Sequence, residues 1–409
     1  MLGVGGGIAA YKVAHLLRLL TESGLDVRVV PTRSALEFVG AATWAALSGH
    51  PVTAEVWDDV HQVPHVRVGR EADLVLVAPA TADLLARAAN GLADDLLTNT
   101  LLTTRAPVVF APAMHTEMWE HPATVDNVAT LRRRGALVLE PGVGRLTGAD
   151  SGTGRLPEPD ELAQVVHRVL ARSAAGLACD LTGKRVLVSA GGTREPIDPV
   201  RFLGNRSSGR QGYALAATAI ARGAEVVLVS ANVSLPDPTG AKVVRVGTAD
   251  EMAQAVLEHS PDVNAVVMAA AVADFRPSQY VGTKIKRSAA PAPASASSGP
   301  GAPPAPIELV RTVDVLADVL SARPAGQIVV GFAAETGDAT GSVLQHGRSK
   351  LAAKGCDLLV VNEVGDGRGF ESTDNAAVVL GADGSTTDVP LTTKEALADV
   401  VWDCVVARW

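Results

Sequence analysis

Cysteine is scarce: Cys179, Cys356 and Cys404 are the only three in 409 residues. They are too few and too scattered for a disulfide framework or for CxxC metal spacing, so a reducing cytoplasm is the expected compartment. Positive charge is also in deficit. With 36 basic and 44 acidic residues the formal net charge is −8, which leaves no overall field to hold nucleic acid or an acidic membrane. Any phosphate binding must therefore be local. No apolar run reaches the roughly 18 residues of a membrane span, and no basic stretch followed by a hydrophobic one opens the chain. What is present is a globular composition, with 47% hydrophobic and 20% charged residues. At about 150 residues per domain, two or three domains are expected.

The opening "MLGVGGGIAAYKVAHLLRLLTESG" reads as a strand stub, a glycine loop and a helix that buries Leu16, Leu17, Leu19 and Leu20 and stops at Gly24. Only Met1 and Leu2 precede the glycines, shorter than a strand of about 5 to 6 residues. Residues upstream of a misplaced start are therefore expected. The runs "DVRVVPT", "DLVLVAPAT", "PVVFAPAM" and "ALVLEPG" then alternate with helical stretches. That alternation predicts βαβ units around a parallel sheet buried on both faces. A second series starts near residue 184 with "GKRVLVSAGGTREP" and continues through "AEVVLVSANV", "VNAVVMAAAVADF", "GQIVVGFAAET" and "DLLVVNEV". The expected class is α/β with two doubly wound, Rossmann-like domains, the first flavodoxin-like, over residues 1–172 and 184–409 with a linker at 173–183. Residues 288–306 contain only Ala, Pro, Ser and Gly and are expected to form a mobile loop.

Ligands of open α/β sheets sit beyond the carboxyl ends of the strands. At the first such end, "GVGGGIAAYK" lets a backbone approach closely and offers helix N–H groups to a phosphate. It is equally readable as a tight turn, and it lacks a clean GxGxxG with a ribose-binding acid, which disfavours ordinary NAD binding. Thr32, Ser34 and Thr81 end the next strands, and their hydroxyls suit a phosphorylated cofactor. His65, just before a buried strand, is either structural or a proton-transfer group, histidine being the side chain that exchanges protons near neutrality. "PAMHTEMW" places Met114 and His115 over the same sheet edge, or fills core beside a surface histidine. "GADSGTGRLPEP" reads as a flap or a surface loop. In the second half "SAGGTREPIDPVRFLGNRSSGRQGYALA" packs a glycine turn, prolines, Arg194, Arg201, Asn205 and serines ahead of a helix near Gly209, a density of donors seldom needed for a connection. "AAAVADFRP" ends on Asp274, and Lys284 and Lys286 follow in "KIKR". Lys350 and Lys354 lie four apart on one helix face. They form either a solvated face or a set of cations aimed at a triphosphate.

Taken in order over essentially the whole chain, these motifs resemble the bifunctional bacterial phosphopantothenoylcysteine decarboxylase/phosphopantothenate cysteine ligases of coenzyme A biosynthesis. The resemblance rests on "GGIAAYK", the His65 segment, "APATADLLARAANGLADDLL", a PxMNxxMW variant and the GxGRxPEP flap. It rests further on "AGGTREPIDPVRFLGNRSSG", "AAVADFR", "KIK" and "GFAAET". It implies a C-terminal ligase that activates 4'-phosphopantothenate with CTP and Mg²⁺ to an acyl-cytidylate, which the cysteine amine then attacks, releasing CMP. It implies catalytic roles for Asn205 and Lys284, nucleotide contacts at Ala270, Ala271, Asp274, Lys284, Asp314, Phe332, Lys350 and Lys354, and substrate contacts at Arg201 and Asn205. No metal-binding residue is assigned.

For the N-terminal half the resemblance implies an FMN-dependent decarboxylase. FMN takes a hydride equivalent to give a thioaldehyde, whose carbon–sulfur double bond accepts the electrons released with CO2. His65 and His115 match catalytic positions, and Gly6, Gly7, Thr32, Ser34, Thr81, Ala82 and Met114 match the cofactor site. The implied assembly is a homo-oligomer, a dodecamer of trimeric flavodomains and dimeric ligase domains. Two departures stand out: the motif asparagine is His115 here, and the flap cysteine aligns with Gly148. They leave the proton donor open among Asp150, Ser151 and water. They also keep open a ligase whose flavodomain is silent and serves only assembly; a non-enzymatic flavoprotein subunit is opposed by the intact ligase motifs.

Overall fold

A computed structural model describes residues 1–54, 64–146, 150–172, 176, 178–285, 306–335, 342–363 and 374–409. Gly148, Lys286, residues 288–305 of the expected loop and residues 173–175 and 177 of the expected linker lie outside these. The chain divides into two compact units. Met1–Thr182 with Ala221–Gly223 and Pro238–Gly240 form the first, and Gly183–Ile220, Ala224–Asp237 and Ala241–Trp409 the second.

Unit 1 is built on five strands, β1 (Leu2–Val4), β2 (Val29–Pro31), β3 (Val75–Ala80), β4 (Val108–Pro112) and β5 (Leu137–Val138), in the order β2-β1-β3-β4-β5. Every pairing is parallel. Side chains alternate across such a sheet, so both faces must be apolar when helices cover both. Leu2, Val4, Leu76 and Ala78 meet Leu16, Leu17, Leu20, Leu162 and Val166 on one side. Val75, Val77 and Phe110 meet Leu84, Leu85, Leu97 and Val128 on the other. An antiparallel hairpin, β6 (Gly142–Arg145) and β7 (Ser151–Arg155), follows, and "GxGR" of the expected flap is its second strand.

Unit 2 continues with β8 (Arg185–Gly191), β9 (Arg194–Pro196), β10 (Phe202–Gly204), β11 (Glu225–Ala231), β12 (Ala241–Val246), β13 (Ala265–Met268), β14 (Phe275–Pro277), β15 (Leu309–Arg311), β16 (Ile328–Glu335), β17 (Leu358–Glu363), β18 (Asp374–Gly381) and β19 (Thr386–Thr393). Eight of these form one sheet in the order β12-β11-β8-β13-β16-β17-β18-β19. The first six run parallel, whereas β18 and β19 are added antiparallel. These last two strands were not anticipated: β19 ("TTDVPLTT") buries only Val389 below the surface, too weak a run to register as a core strand. Small antiparallel ribbons β9–β10 and β14–β15 stand apart from the main sheet.

Threonine, serine or aspartate begins several of the helices. Side-chain oxygens of Thr248, Ser342 and Thr393 accept N–H groups from the first turns of Ala249–His259, Val343–Lys354 and Lys394–Val406, each such cap contributing about 1 kcal/mol. The last helix closes unit 2 through Trp402, which is fully buried and donates Nε1–H to the Leu215 carbonyl at 2.9 Å. Trp402→Ala is expected to cost about 3–5 kcal/mol through the cavity it leaves. Urea denaturation followed by circular dichroism should show the unit 2 transition at lower denaturant and the unit 1 transition unmoved.

Candidate functional site

In unit 1 the strand order reverses between β1 and β3, and crossovers leaving a sheet on opposite faces open a crevice at that point. The loop after β1 lies there. The Gly5 N–H is bonded to the Pro79 carbonyl at 3.1 Å, and Thr32 N–H to the Val4 carbonyl at 2.9 Å, so the loops after β1, β2 and β3 are tied together. Gly6 is required by contact: a Cβ there would stand 2.3 Å from Ser34 Cβ. Among the described residues the N–H groups of Gly6, Gly7 and Ile8 meet no acceptor, an arrangement that receives an anion. Thr32 and Thr81 cap the helices Arg33–Leu36 and Ala82–Asn90, accepting from Ala35 N–H at 3.2 Å and Leu84 N–H at 3.3 Å. Each hydroxyl keeps its proton to donate. Gly6, Gly7, Thr32, Ser34, Thr81 and Ala82 are thus brought to one edge.

Met114 and His115 follow β4 at that same carboxyl edge. The hairpin lies against them, since Met114 N–H donates to the Gly154 carbonyl at 2.9 Å. His115 is exposed at the start of Thr116–Trp119. Thr116 Oγ1 is buried without a partner, beside Gly152; a lone threonine gives no sequence signal of this. Lys12, in the helix after the glycine loop, pairs with Glu158 of "PEP" at 3.1 Å, joining two motifs 146 residues apart. His65 sits in the first turn of Pro64–Glu71, a short helix rather than a plain approach to a strand. Thr103 Oγ1 donates to its carbonyl at 2.9 Å, and its own buried Nδ1 has no partner among the described residues. Among the described residues no hydrogen bond joins His65 to Met114 or His115.

Unit 2 repeats the reversal between β8 and β13. Gly191, with φ of 86°, ends β8 in the left-handed region where a side chain is strained, and a Cβ there would stand 2.0 Å from the Ala231 carbonyl oxygen. The next loop is laced to the one after β13. Ala271 N–H donates to Gly191 O at 2.8 Å, Ala270 N–H to Ser189 Oγ at 3.1 Å and Ala273 N–H to Thr193 Oγ1 at 2.9 Å. Asn205 is exposed, with Nδ2 on the Val272 carbonyl at 2.9 Å. Asn205, Ala270 and Ala271 therefore share this crevice. Ser189, Thr193 and Asn232, whose Nδ2 holds the Gly192 and Gly247 carbonyls at 2.9 Å each, escaped the sequence reading because their partners lie in the loops after other strands.

The remaining expected residues fall into linked groups. Asp274 is exposed, and its carbonyl accepts Thr312 N–H at 3.1 Å. Asp314, two residues on, caps Val315–Ala322 and pairs with Lys354. Burial pushes the Asp314 carboxyl up, but the Lys354 ammonium, the Ala317 N–H and the charge of Lys350 outweigh it and hold it below the usual range. Phe332, half-buried on β16, pairs across with Val360. Arg201 pairs with Asp198, and Lys284 is exposed nearby in sequence to Ile285, which Arg201 holds. Among the described residues no group of three or more His, Cys, Asp or Glu side chains is placed to hold a metal ion, and no helix is long and apolar enough to cross a membrane.

Two doubly wound units, each with glycine and hydroxyl-bearing loops at its strand-order reversal, define an α/β protein with a crevice in each half chemically suited to an anionic small molecule. Residues 1–171 match the Flavoprotein family and residues 181–408 the DNA/pantothenate metabolism flavoprotein C-terminal domain family. The coenzyme A biosynthesis bifunctional protein CoaBC of Mycolicibacterium smegmatis is 57% identical over 413 residues, spanning 100% of this chain and 97% of that protein. CoaBC of Vibrio cholerae is 42% identical over 404 residues, 98% of this chain and 96% of that one. A solved C-terminal domain of a CoaBC is 35% identical, covering 56% of this chain and 97% of its own, with a TM-score of 0.45. The chain belongs to the family of CoaBC bifunctional proteins of coenzyme A biosynthesis.

Gly6→Ala is expected to cut flavin retention by at least about tenfold, or about 1.4 kcal/mol of binding, measured as visible flavin absorbance per chain. Asp314 sets a pH dependence. Its depressed value means that its stabilisation is present above the unfolded value of about 3.9 and is lost as pH falls through the folded value. Asp314→Asn should make the acid-side loss of unit 2 stability shallower, measured by urea denaturation across that range.

Proposed function

We propose that the chain carries out two consecutive steps: CTP-dependent joining of 4'-phosphopantothenate to cysteine in residues 184–409, and FMN-dependent decarboxylation of the product to 4'-phosphopantetheine in residues 1–172. It is a bifunctional enzyme of coenzyme A biosynthesis with a ligase and a decarboxylase activity. The observation that carries the reading is that Gly6, Gly7, Thr32, Ser34, Thr81 and Ala82 meet at the strand-order reversal of the first half, and Asn205, Ala270 and Ala271 at that of the second.

In the ligase step the substrate carboxylate attacks the α-phosphate of CTP and pyrophosphate leaves. Lys284, Lys350 and Lys354 supply positive charge for the oxygens on which negative charge grows. Asp314 is engaged by Lys354, an assignment supported by their ion pair, and Asp274, Phe332, Ala270 and Ala271 line the nucleotide. Asn205 then donates from its amide to the acyl oxygen as the cysteine amine displaces CMP, and Arg201 contacts the substrate. A carboxylate is a poor electrophile and CMP a good leaving group, so activation precedes amide formation. Mg²⁺ enters with the nucleotide as substrate, and no step is assigned to a protein-held ion.

The fit to a flavin phosphate is supported by the N–H groups of Gly6, Gly7 and Ile8, by the contact that only glycine permits at position 6, and by the hydroxyls of Thr32, Ser34 and Thr81. These residues, with Ala82 and Met114, would hold FMN, which when bound supplies a two-electron acceptor that later returns the electrons. His65 moves the substrate proton at its imidazole, a role supported by its buried Nδ1, which has no partner among the described residues. His115 donates a hydrogen bond to the substrate carboxylate. Asp150 and Ser151 stand at the hairpin as candidate donors of the final proton.

Assembly as a dodecamer from trimeric flavodomains and dimeric ligase domains belongs to the same reading. It is supported by exposed Ile8, Tyr11 and Phe38 in unit 1 and exposed Phe202 and Phe275 in unit 2. Three cysteines without disulfides suit a reducing cytoplasm. The test is mass spectrometry of products from 4'-phosphopantothenate, CTP, Mg²⁺, cysteine and FMN. The wild-type chain should yield 4'-phosphopantetheine. His65→Asn should stop CO2 release and accumulate 4'-phosphopantothenoylcysteine; if decarboxylation persists in that variant, His65 is not the proton-transfer group.

A further inference from the structure

The turn joining β9 to β10 is organised by one buried carboxylate. Asp198 is 2% exposed. Its Oδ1 accepts the N–H groups of Val200 and Arg201 at 2.8 Å each, which shapes the turn locally. Its Oδ2 engages a distant segment, accepting the Ile285 N–H at 3.1 Å, 87 residues later in the chain. Arg201 completes the clasp, with Nη2 donating to the Ile285 carbonyl at 3.2 Å and Nη1 3.4 Å from Asp198 Oδ2. A second tie runs from Val281 N–H to the Ile197 carbonyl at 3.1 Å. Lys284 therefore lies between two anchors on the tip of this hairpin, while the foot of the same hairpin leads into Asn205 and its bond to Val272. Burial opposes the charge on Asp198, yet the three N–H donors and Arg201 outweigh it and hold the carboxyl below its usual range.

We propose that Asp198 is a positioning residue for the ligase: through Ile285 it fixes the backbone from which Lys284 reaches the crevice entered by Asn205. The proposal rests on the reading above in which Lys284 acts on the nucleotide phosphates. A purely local role needs only Oδ1. Asp198→Asn separates the two functions, because its single carbonyl oxygen suits the pair of turn N–H groups and its amide then sets a donor against the Ile285 donor.

The experiment uses the full chain as wild type, Asp198→Asn, Lys284→Ala and the double variant. Pyrophosphate release from CTP and 4'-phosphopantothenate is the ligase readout. Decarboxylation of supplied 4'-phosphopantothenoylcysteine by the FMN-loaded chain reports an intact unit 1, and amide hydrogen exchange reports the clasp. Asp198→Asn should lower the maximal rate of pyrophosphate release by about 10- to 100-fold, the range expected when a reacting group is misplaced by about 1 Å. Decarboxylation should be unchanged. The Ile285 amide should exchange faster, with those of Val200 and Arg201 still protected. In the Lys284→Ala background the second substitution should add no further loss, since both act on one term. Losses that multiply in the double variant, or a slowed ligase with unaltered Ile285 exchange, would reduce Asp198 to a structural support and overturn the proposal. A Lys284→Ala chain with the wild-type rate would instead remove the parent reading and the proposal with it. Should Asp198→Asn fail to fold, Ile285→Pro deletes the same N–H from the other side of the clasp; with no amide left there to exchange, the rate of pyrophosphate release, the decarboxylation control and the double variant with Lys284→Ala carry the expected and overturning outcomes.

Discussion

Parallel strands cannot be joined by a tight turn; each connection must cross back over a face of the sheet, and the face it crosses must be apolar. That constraint acts in both units. It explains why Val75 and Val77 are as buried as Leu76 and Ala78 on the same strand, and why the strand runs read as nearly continuous hydrophobic segments. It also sets where chemistry takes place. Where successive crossovers depart to opposite faces, the loops after neighbouring strands part, leaving backbone N–H groups and helix starts open at the carboxyl edge. The glycine loop after β1 and the laced loops after β8 and β13 occupy such positions.

Loops at a sheet edge lack ladder bonds, so side chains must do the fixing. In unit 1 Thr32 and Thr81 anchor the helices that flank the crevice, and Lys12 binds the glycine-loop helix to Glu158 at the end of the hairpin. In unit 2 Ser189, Thr193, Asn205 and Asn232 all bond to backbone groups of neighbouring loops. Reaction sites built in this way are held by packing and hydrogen bonds around the residues that touch substrate. Asn205, His115 and Lys284, to which the proposed function gives ligand contacts, are exposed.

The ligase and decarboxylase halves use their cations and imidazoles differently. Unit 2 gathers Lys350 and Lys354 around Asp314, so part of its positive charge is already engaged within the unit. Unit 1 offers neutral donors, backbone N–H and hydroxyl, to an anion. On the proposed function the contrast follows from the two ligands: in nucleotidyl transfer negative charge builds up on the departing pyrophosphate oxygens, whereas a cofactor phosphate keeps its charge throughout.

Much was legible in the order of residues. The period of apolar runs and helical stretches defined two α/β units, and "GVGGGIAAYK" and "SAGGTREP" marked the first turn of each. Glycine loops, capping threonines and strand lengths are local properties, decided by neighbours within a few residues. The antiparallel pair β18 and β19, the short helix that carries His65, the unpartnered Thr116 hydroxyl and the pairs Lys12–Glu158, Asp314–Lys354 and Asp198–Ile285 were decided only by the tertiary structure. Their partners lie 40 to 146 residues apart in the three pairs. A side chain's local context says what it can bond to, but strand order and crossover direction determine which distant group arrives within bonding distance.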